Sequence, residues 1–163
     1  MKKQKGFSLI ELLIVVAIIL IIAAIAIPNL MRARMSANES SAAGSIRTIN
    51  TGEVSYATTY PTQGFTLLAN LGGAGSPCVP AATGGCFIDN FLAATATKDG
   101  YGFAATPGGT TPAVTYVSVA TTISPNQSGT RAFCSDQTGV IYFDPTGGGT
   151  GCTPGSGTAT PLQ

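Results

Sequence analysis

Few residues in this 163-residue chain have types and spacings suited to chemistry. There is no histidine, so neither a Ser-His triad nor a His-containing zinc site can be built. The seven acids are scattered along the chain rather than concentrated. One of them stands in an unusual place. Glu11 is the only ionisable group inside the aliphatic run FSLIELLIVVAIILIIAAIAIPNL, from Phe7 to Leu30. An ionised residue such as Asp at the centre of a membrane helix costs about 2.5–3.5 kcal/mol, and less near the end, where Glu11 lies. A carboxylate so placed is a functional group in search of a partner. A cut after Gly6 would supply one, because the new α-amino group of Phe7 would be positive at neutral pH and one helical turn from Glu11. Within one helix that pairing has poor geometry, and the amine of a neighbouring copy is the better partner.

The second reactive set is Cys78, Cys86, Cys134 and Cys152, all in the polar half of the chain. An even number of cysteines in a loop-rich, exported segment reads as disulfides, with three possible connectivities. Pairing Cys78 with Cys86 and Cys134 with Cys152 closes two short loops that contain Gly and Pro. Reduced core cysteines are the alternative, and they would require a cytosolic protein.

These groups are carried by a chain with an oily end and a polar end. Only 9% of the residues are charged, against about a quarter in an average protein, and the long aliphatics lie mainly before Leu30. The length suits one ordinary domain. Lys2, Lys3 and Lys5 precede the apolar run, which marks that end as the one left in the cytoplasm. Phe7 to Leu30 is long enough to cross a bilayer as a helix. An ordinary signal peptide, cut near Ala24-Ile25-Ala26, would have a shorter apolar region and no carboxylate in it, and Pro28 would crowd the cut. An inert anchor leaves Glu11 unexplained.

Beyond Leu30 the apolar residues Met35, Ala42, Ile46, Ile49, Tyr56 and Tyr60 recur at spacings of three, four or seven, the pattern of an amphipathic helix. Arg32, Arg34, Glu39, Arg47 and Glu53 fall mainly off that stripe, and Pro61 gives a stop. One long helix is expected from Phe7 to Thr59, with a kink at Pro28 and weak points at Gly44 and Gly52. Runs at Tyr101–Ala105, Val114–Ile123, Arg131–Ser135 and Val140–Phe143 read as strands, and Asp136–Gly139 as the turn between the last two. Leu67–Leu71 and Ile88–Ala94 read as short helical turns, and the Gly/Thr/Pro-rich tail after Asp144 as loop. The expected class is α+β: a long helix whose second half covers an antiparallel sheet of three or four strands.

Lys5-Gly6-Phe7-Ser8-Leu9-Ile10-Glu11, followed by unbroken aliphatics to Pro28, resembles the type IV prepilin motif shared by pilins, minor pilins and the pseudopilins of type II secretion. The resemblance implies cleavage after Gly6 by a membrane aspartyl peptidase that also methylates Phe7. It assigns Glu11 to pairing with a neighbour's amine during assembly, and Pro28 to the kink found in many type IVa pilins. It implies a leader over 1–6, a membrane or filament-core helix over 7–30, an amphipathic half over 31–60 and a globular β domain over 61–163. The partners implied are other copies in a helical homopolymer, the inner membrane before assembly, the peptidase/methyltransferase and the pilus assembly machinery. Motility, adhesion or DNA uptake would then follow from the family. A periplasmic secretion pseudopilin and a monomeric membrane-anchored binding domain are the rival readings, and the two cysteine pairs favour a pilus outside the cell.

Other signals are weak. Gly100-Tyr101-Gly102-Phe103-Ala104-Ala105 has dinucleotide-loop spacing but no βαβ context. Asp136 and Asp144 lack the alternating acids of a calcium loop. Asn38-Glu39-Ser40 and Asn126-Gln127-Ser128 are formal glycosylation sequons. The net charge of +1 gives no argument for nucleic-acid binding, and no cofactor, metal or catalytic group is expected.

Overall fold

The computed structural model describes residues 7–73, 77–146, 152–155 and 159–162. The chain forms two compact units, Met1–Arg34 and Met35–Gln163. Helix α1, Leu9–Thr59, contributes to both.

In the first unit the described residues are almost entirely α1. The helical assignment continues through Pro28, which is the one proline within α1. Aliphatic side chains point outward on every side, with Leu9, Leu13, Leu20 and Ile25 all more than half exposed. A helix that is apolar all round has no solvent-facing stripe, and in isolation its surface is the kind that lipid or other helices cover.

In the second unit α1 becomes one-sided. Ala42, Ile46, Ile49 and Tyr56 are buried against α2 (Leu68–Leu71), α3 (Asn90–Thr95) and the sheet. Asp89 caps α3, its carboxylate accepting from the Leu92 N–H at 2.9 Å. The sheet is an antiparallel meander in sequence order: β1 Thr97–Lys98, β2 Tyr101–Pro107, β3 Tyr116–Thr122, β4 Ala132–Asp136, β5 Ile141–Asp144 and β6 Thr160–Pro161. The four longer strands occupy the expected runs. β1 and β6 are additions of two residues each, and β6 lies in the tail read as loop. Their pairing is set by neighbours rather than by propensity, since Phe143 draws Thr160 into register and Gly102 draws Thr97.

Strand alternation sorts the two faces. Tyr101, Phe103, Ala105, Ala120, Phe133 and Ile141 join the core that includes α1. Ala132 and Cys134 face the other way and are covered by Cys152 and Ala159 of the tail, with Val119 and Tyr142 alongside. β4 is therefore buried on both faces, which explains its apolar sequence.

One expectation needs correction. Glu53 does not lie off the buried stripe but is fully buried on it. Positions 42, 46, 49, 53 and 56 form a single 4-3-4-3 series, and an acid stands where the pattern calls for an apolar residue. The backbone of the αβ loop accounts for it: the Thr66 N–H donates to Glu53 Oε2 at 2.9 Å.

Candidate functional site

The N-terminal site is built on the start of α1. Ser8 immediately precedes the first helical residue, and its backbone N–H donates to Glu11 Oε2 at 2.9 Å. Ser at the N-cap with Glu three residues on is the spacing of a capping box, in which the acid reaches back to satisfy an otherwise orphaned backbone N–H. Sequence reasoning that looked only for a cationic partner of Glu11 missed this one. The Ser-x-x-Glu spacing was the available signal. Phe7 is 81% exposed at the tip of the apolar helix. Gly6 and the rest of the leader lie outside the described residues.

Glu11 therefore stands at the start of the apolar helix with one oxygen held by its own helix terminus, where a negative charge is also favoured by the helix dipole. The arrangement can hold a carboxylate in an apolar setting and present it to a cation. Among the described residues Glu11 is the one titratable group of this site.

In the second unit the four cysteines form two bonds, Cys78–Cys86 and Cys134–Cys152, and no free cysteine is left among the described residues. The first closes a loop in the connection between helix and sheet. The second ties the tail to the central strand β4.

The polar groups of this unit serve structure. Asn50 on α1 donates to Ser135 Oγ at 2.7 Å, and its carbonyl oxygen accepts from Tyr116 at 3.0 Å and from Ser118 at 3.2 Å. Glu39 Oε1 accepts from the Thr130 and Arg131 backbone N–H groups, and the Arg131 guanidinium lies 3.6 Å from Oε2. Asn38 of the first sequon donates its amide to the Ser128 carbonyl at 2.9 Å, whereas Asn126 of the second is exposed at a turn. Burial pushes the Glu53 carboxyl up to about 7, opposed by its bond from Thr66, and burial likewise raises the Tyr101 and Tyr116 phenols. Two hydrogen bonds from Thr146 hold Asp144 below the usual carboxylate range. A surface cleft of about 720 Å³ beside α1 and β5 has Arg47 as its single ionisable lining residue. Among the described residues no group of three or more metal-ligating side chains comes together, and Asp136 and Asp144 are each engaged by a nearby threonine.

Comparison with known proteins adds to this picture. The prokaryotic N-terminal methylation motif matches residues 1–27. The type IV wide pilus major component of Thermus thermophilus is 64% identical over 39 residues, which are 24% of this chain and 30% of that protein. The type IV major pilin protein of Myxococcus xanthus is 44% identical over 54 residues, 33% of this chain and 24% of that one. The matched stretches thus span less than a third of either relative's length. No solved structure matches. The chain thus carries the N-terminal methylation motif and is similar over part of its length to two type IV pilus proteins, and it folds as a long N-terminal helix with a disulfide-bonded antiparallel sheet.

Proposed function

We propose that the chain is the structural subunit of a type IV pilus, inserted in the inner membrane as a precursor, cut after Gly6, methylated on Phe7 and polymerised through its N-terminal helix. The observation that carries this reading is the apolar half of α1, unburied over its whole length and bearing one carboxylate at its start. Lipid before assembly and identical helices in the filament give that surface its two covers, since close packing and polar contacts associate helices that present the same face in lipid. Glu11 then fixes register against the amine of the next subunit, and the open head-to-tail contact propagates as a helix. Residues 1–6 act as leader, 7–30 as membrane and core segment, 31–60 as the amphipathic half, and 61–163 as the displayed domain. Pro28 supplies a flexible point where one backbone hydrogen bond is missing. The role is structural and requires no catalytic group.

Both relatives are named as pilus components, which favours a surface pilus over a secretion pseudopilus. Intact mass and N-terminal sequencing of the cellular protein test the processing. A chain that begins at methylated Phe7 is expected, and one beginning at Ile27 overturns the reading. Replacing Glu11 with Ala tests assembly: membrane insertion is retained and sheared filaments disappear. Normal filaments from that variant would leave the assembly role of Glu11 without support.

A further inference from the structure

Arg32 and Arg34 have no role in the account above. Both are exposed, and the one salt bridge among the described residues is Arg131 with Glu39. Their place along α1 is informative. Leu9 to Leu30 is 22 residues, about 33 Å of helix at roughly 1.5 Å per residue, which matches a hydrocarbon core of about 30 Å. Arg32 and Arg34 then fall about 3 and 6 Å beyond its far edge, within the headgroup layer.

Nothing else in the sequence anchors that end. No Trp or Tyr stands between Phe7 and Ser55, so the aromatic belt that usually marks a membrane interface is missing there. Two residues apart on a helix of 3.6 residues per turn, the arginines project to nearly opposite sides and reach separate lipids. A guanidinium binds phosphate through a planar fork of donors, while its aliphatic stem lies along the apolar helix.

We propose that Arg32 and Arg34 bind the phosphates of anionic phospholipids in the leaflet away from the leader, and so seat the unassembled subunit at a fixed depth. This rests on the reading that the apolar half of α1 spans a bilayer. With Lys2, Lys3 and Lys5 on the opposite side, the precursor is held at both membrane faces. Removal of the leader leaves only the arginine collar. The mature helix is then anchored solely at the side toward which a subunit must leave.

The full chain, reconstituted in vesicles of phosphatidylcholine with a minority of phosphatidylglycerol, provides the test. Retained lipids are counted by native mass spectrometry, and carbonate extraction reports insertion. Wild type is expected to keep more phosphatidylglycerol adducts than R32Q/R34Q, and K2Q/K3Q/K5Q is expected to keep those that the further R32Q/R34Q exchange removes, with about a fivefold preference per arginine. R32K/R34K, which holds the charge without the fork, is expected to retain part of the preference. Equal adducts in wild type and R32Q/R34Q overturn the proposal, as does displacement of the lipid by inorganic phosphate, which would mark a site for the free anion. Equal phosphatidylcholine and phosphatidylglycerol retention also overturns it and leaves the arginines to a carboxylate of another subunit. A chain removed by carbonate would instead count against the membrane reading itself.

Discussion

The Thr66 backbone N–H is bonded to Glu53 Oε2 at 2.9 Å, while Glu53 Oε1 is buried with no hydrogen-bond partner among the described residues. The loop that leaves α1 is thus latched to the helix by one half of a buried carboxyl group. Tyr116 is the titratable group that feels its charge.

The pH dependence of stability follows. Burial raises the folded-state value from the ordinary 4.5 to about 7. Between those two values the unfolded chain releases a proton that the folded chain keeps, so stability falls as pH rises through that window and levels off above it. Asp144, held below its usual range, acts in the opposite sense and loses its contribution only in more acidic solution. Thermal melts of the chain are expected to drop from pH 5 to pH 8, and E53Q, whose amide oxygen still accepts from Thr66, should flatten that fall. An unchanged slope in E53Q would show that another group is responsible.

The two glycines of the amphipathic half should respond to alanine with opposite signs. A Cβ on Gly44 meets nothing within 4 Å, so G44A is expected to gain about 0.5–1 kcal/mol from helix propensity. A Cβ on Gly52 would lie 2.8 Å from Ile88 Cγ2, and G52A is expected to lose about 1 kcal/mol or more through overpacking. Chemical denaturation of both variants reads the sign directly.

Asn50 should be intolerant of truncation. N50A strips partners from Ser135, Tyr116 and Ser118, all buried. A buried polar group left unsatisfied costs about 1–3 kcal/mol, so a loss of a few kcal/mol is expected in the denaturation midpoint. A loss below about 1 kcal/mol would mean that water replaces the amide there.

The disulfides differ in what they protect. Cys134–Cys152 closes a separation of 18 residues, and its removal is expected to cost about 3 kcal/mol and to uncover the outer face of β4. Cys78–Cys86 closes a separation of 8 and should cost less, about 2.5 kcal/mol. Proteolysis of C134A/C152A should begin in the tail, and protection of the tail in that variant would contradict the clamp.

Much of the architecture was legible because its signals are local. The aliphatic run, the stripe through Ala42, Ile46, Ile49 and Tyr56, and the β-branched and aromatic runs of β3 and β5 were each visible in the residues themselves. Glu53 was misread because its burial depends on a backbone N–H 13 residues away, which no helical period records. β6 was missed because two residues carry no pattern, and its place is set by the register with β5. The Ser8–Glu11 contact was legible in the Ser-x-x-Glu spacing, yet the charge of Glu11 drew attention to distant cations instead.

The meander also sets an order of events. Every strand pairs with its neighbour in sequence, so each hairpin closes a short loop and can grow as the chain emerges. The bonds from Asn50 to Tyr116, Ser118 and Ser135 span 66 to 85 residues, and those of Asn38 and Glu39 to Ser128, Thr130 and Arg131 span 90 to 92, so all of them close long loops. Loop-closure entropy thus favours docking of sheet onto helix after the hairpins have formed. Until it happens the apolar segment is attached to a hairpin stack rather than to a domain with a finished core, and that core is complete only when Asn50 has found its strands.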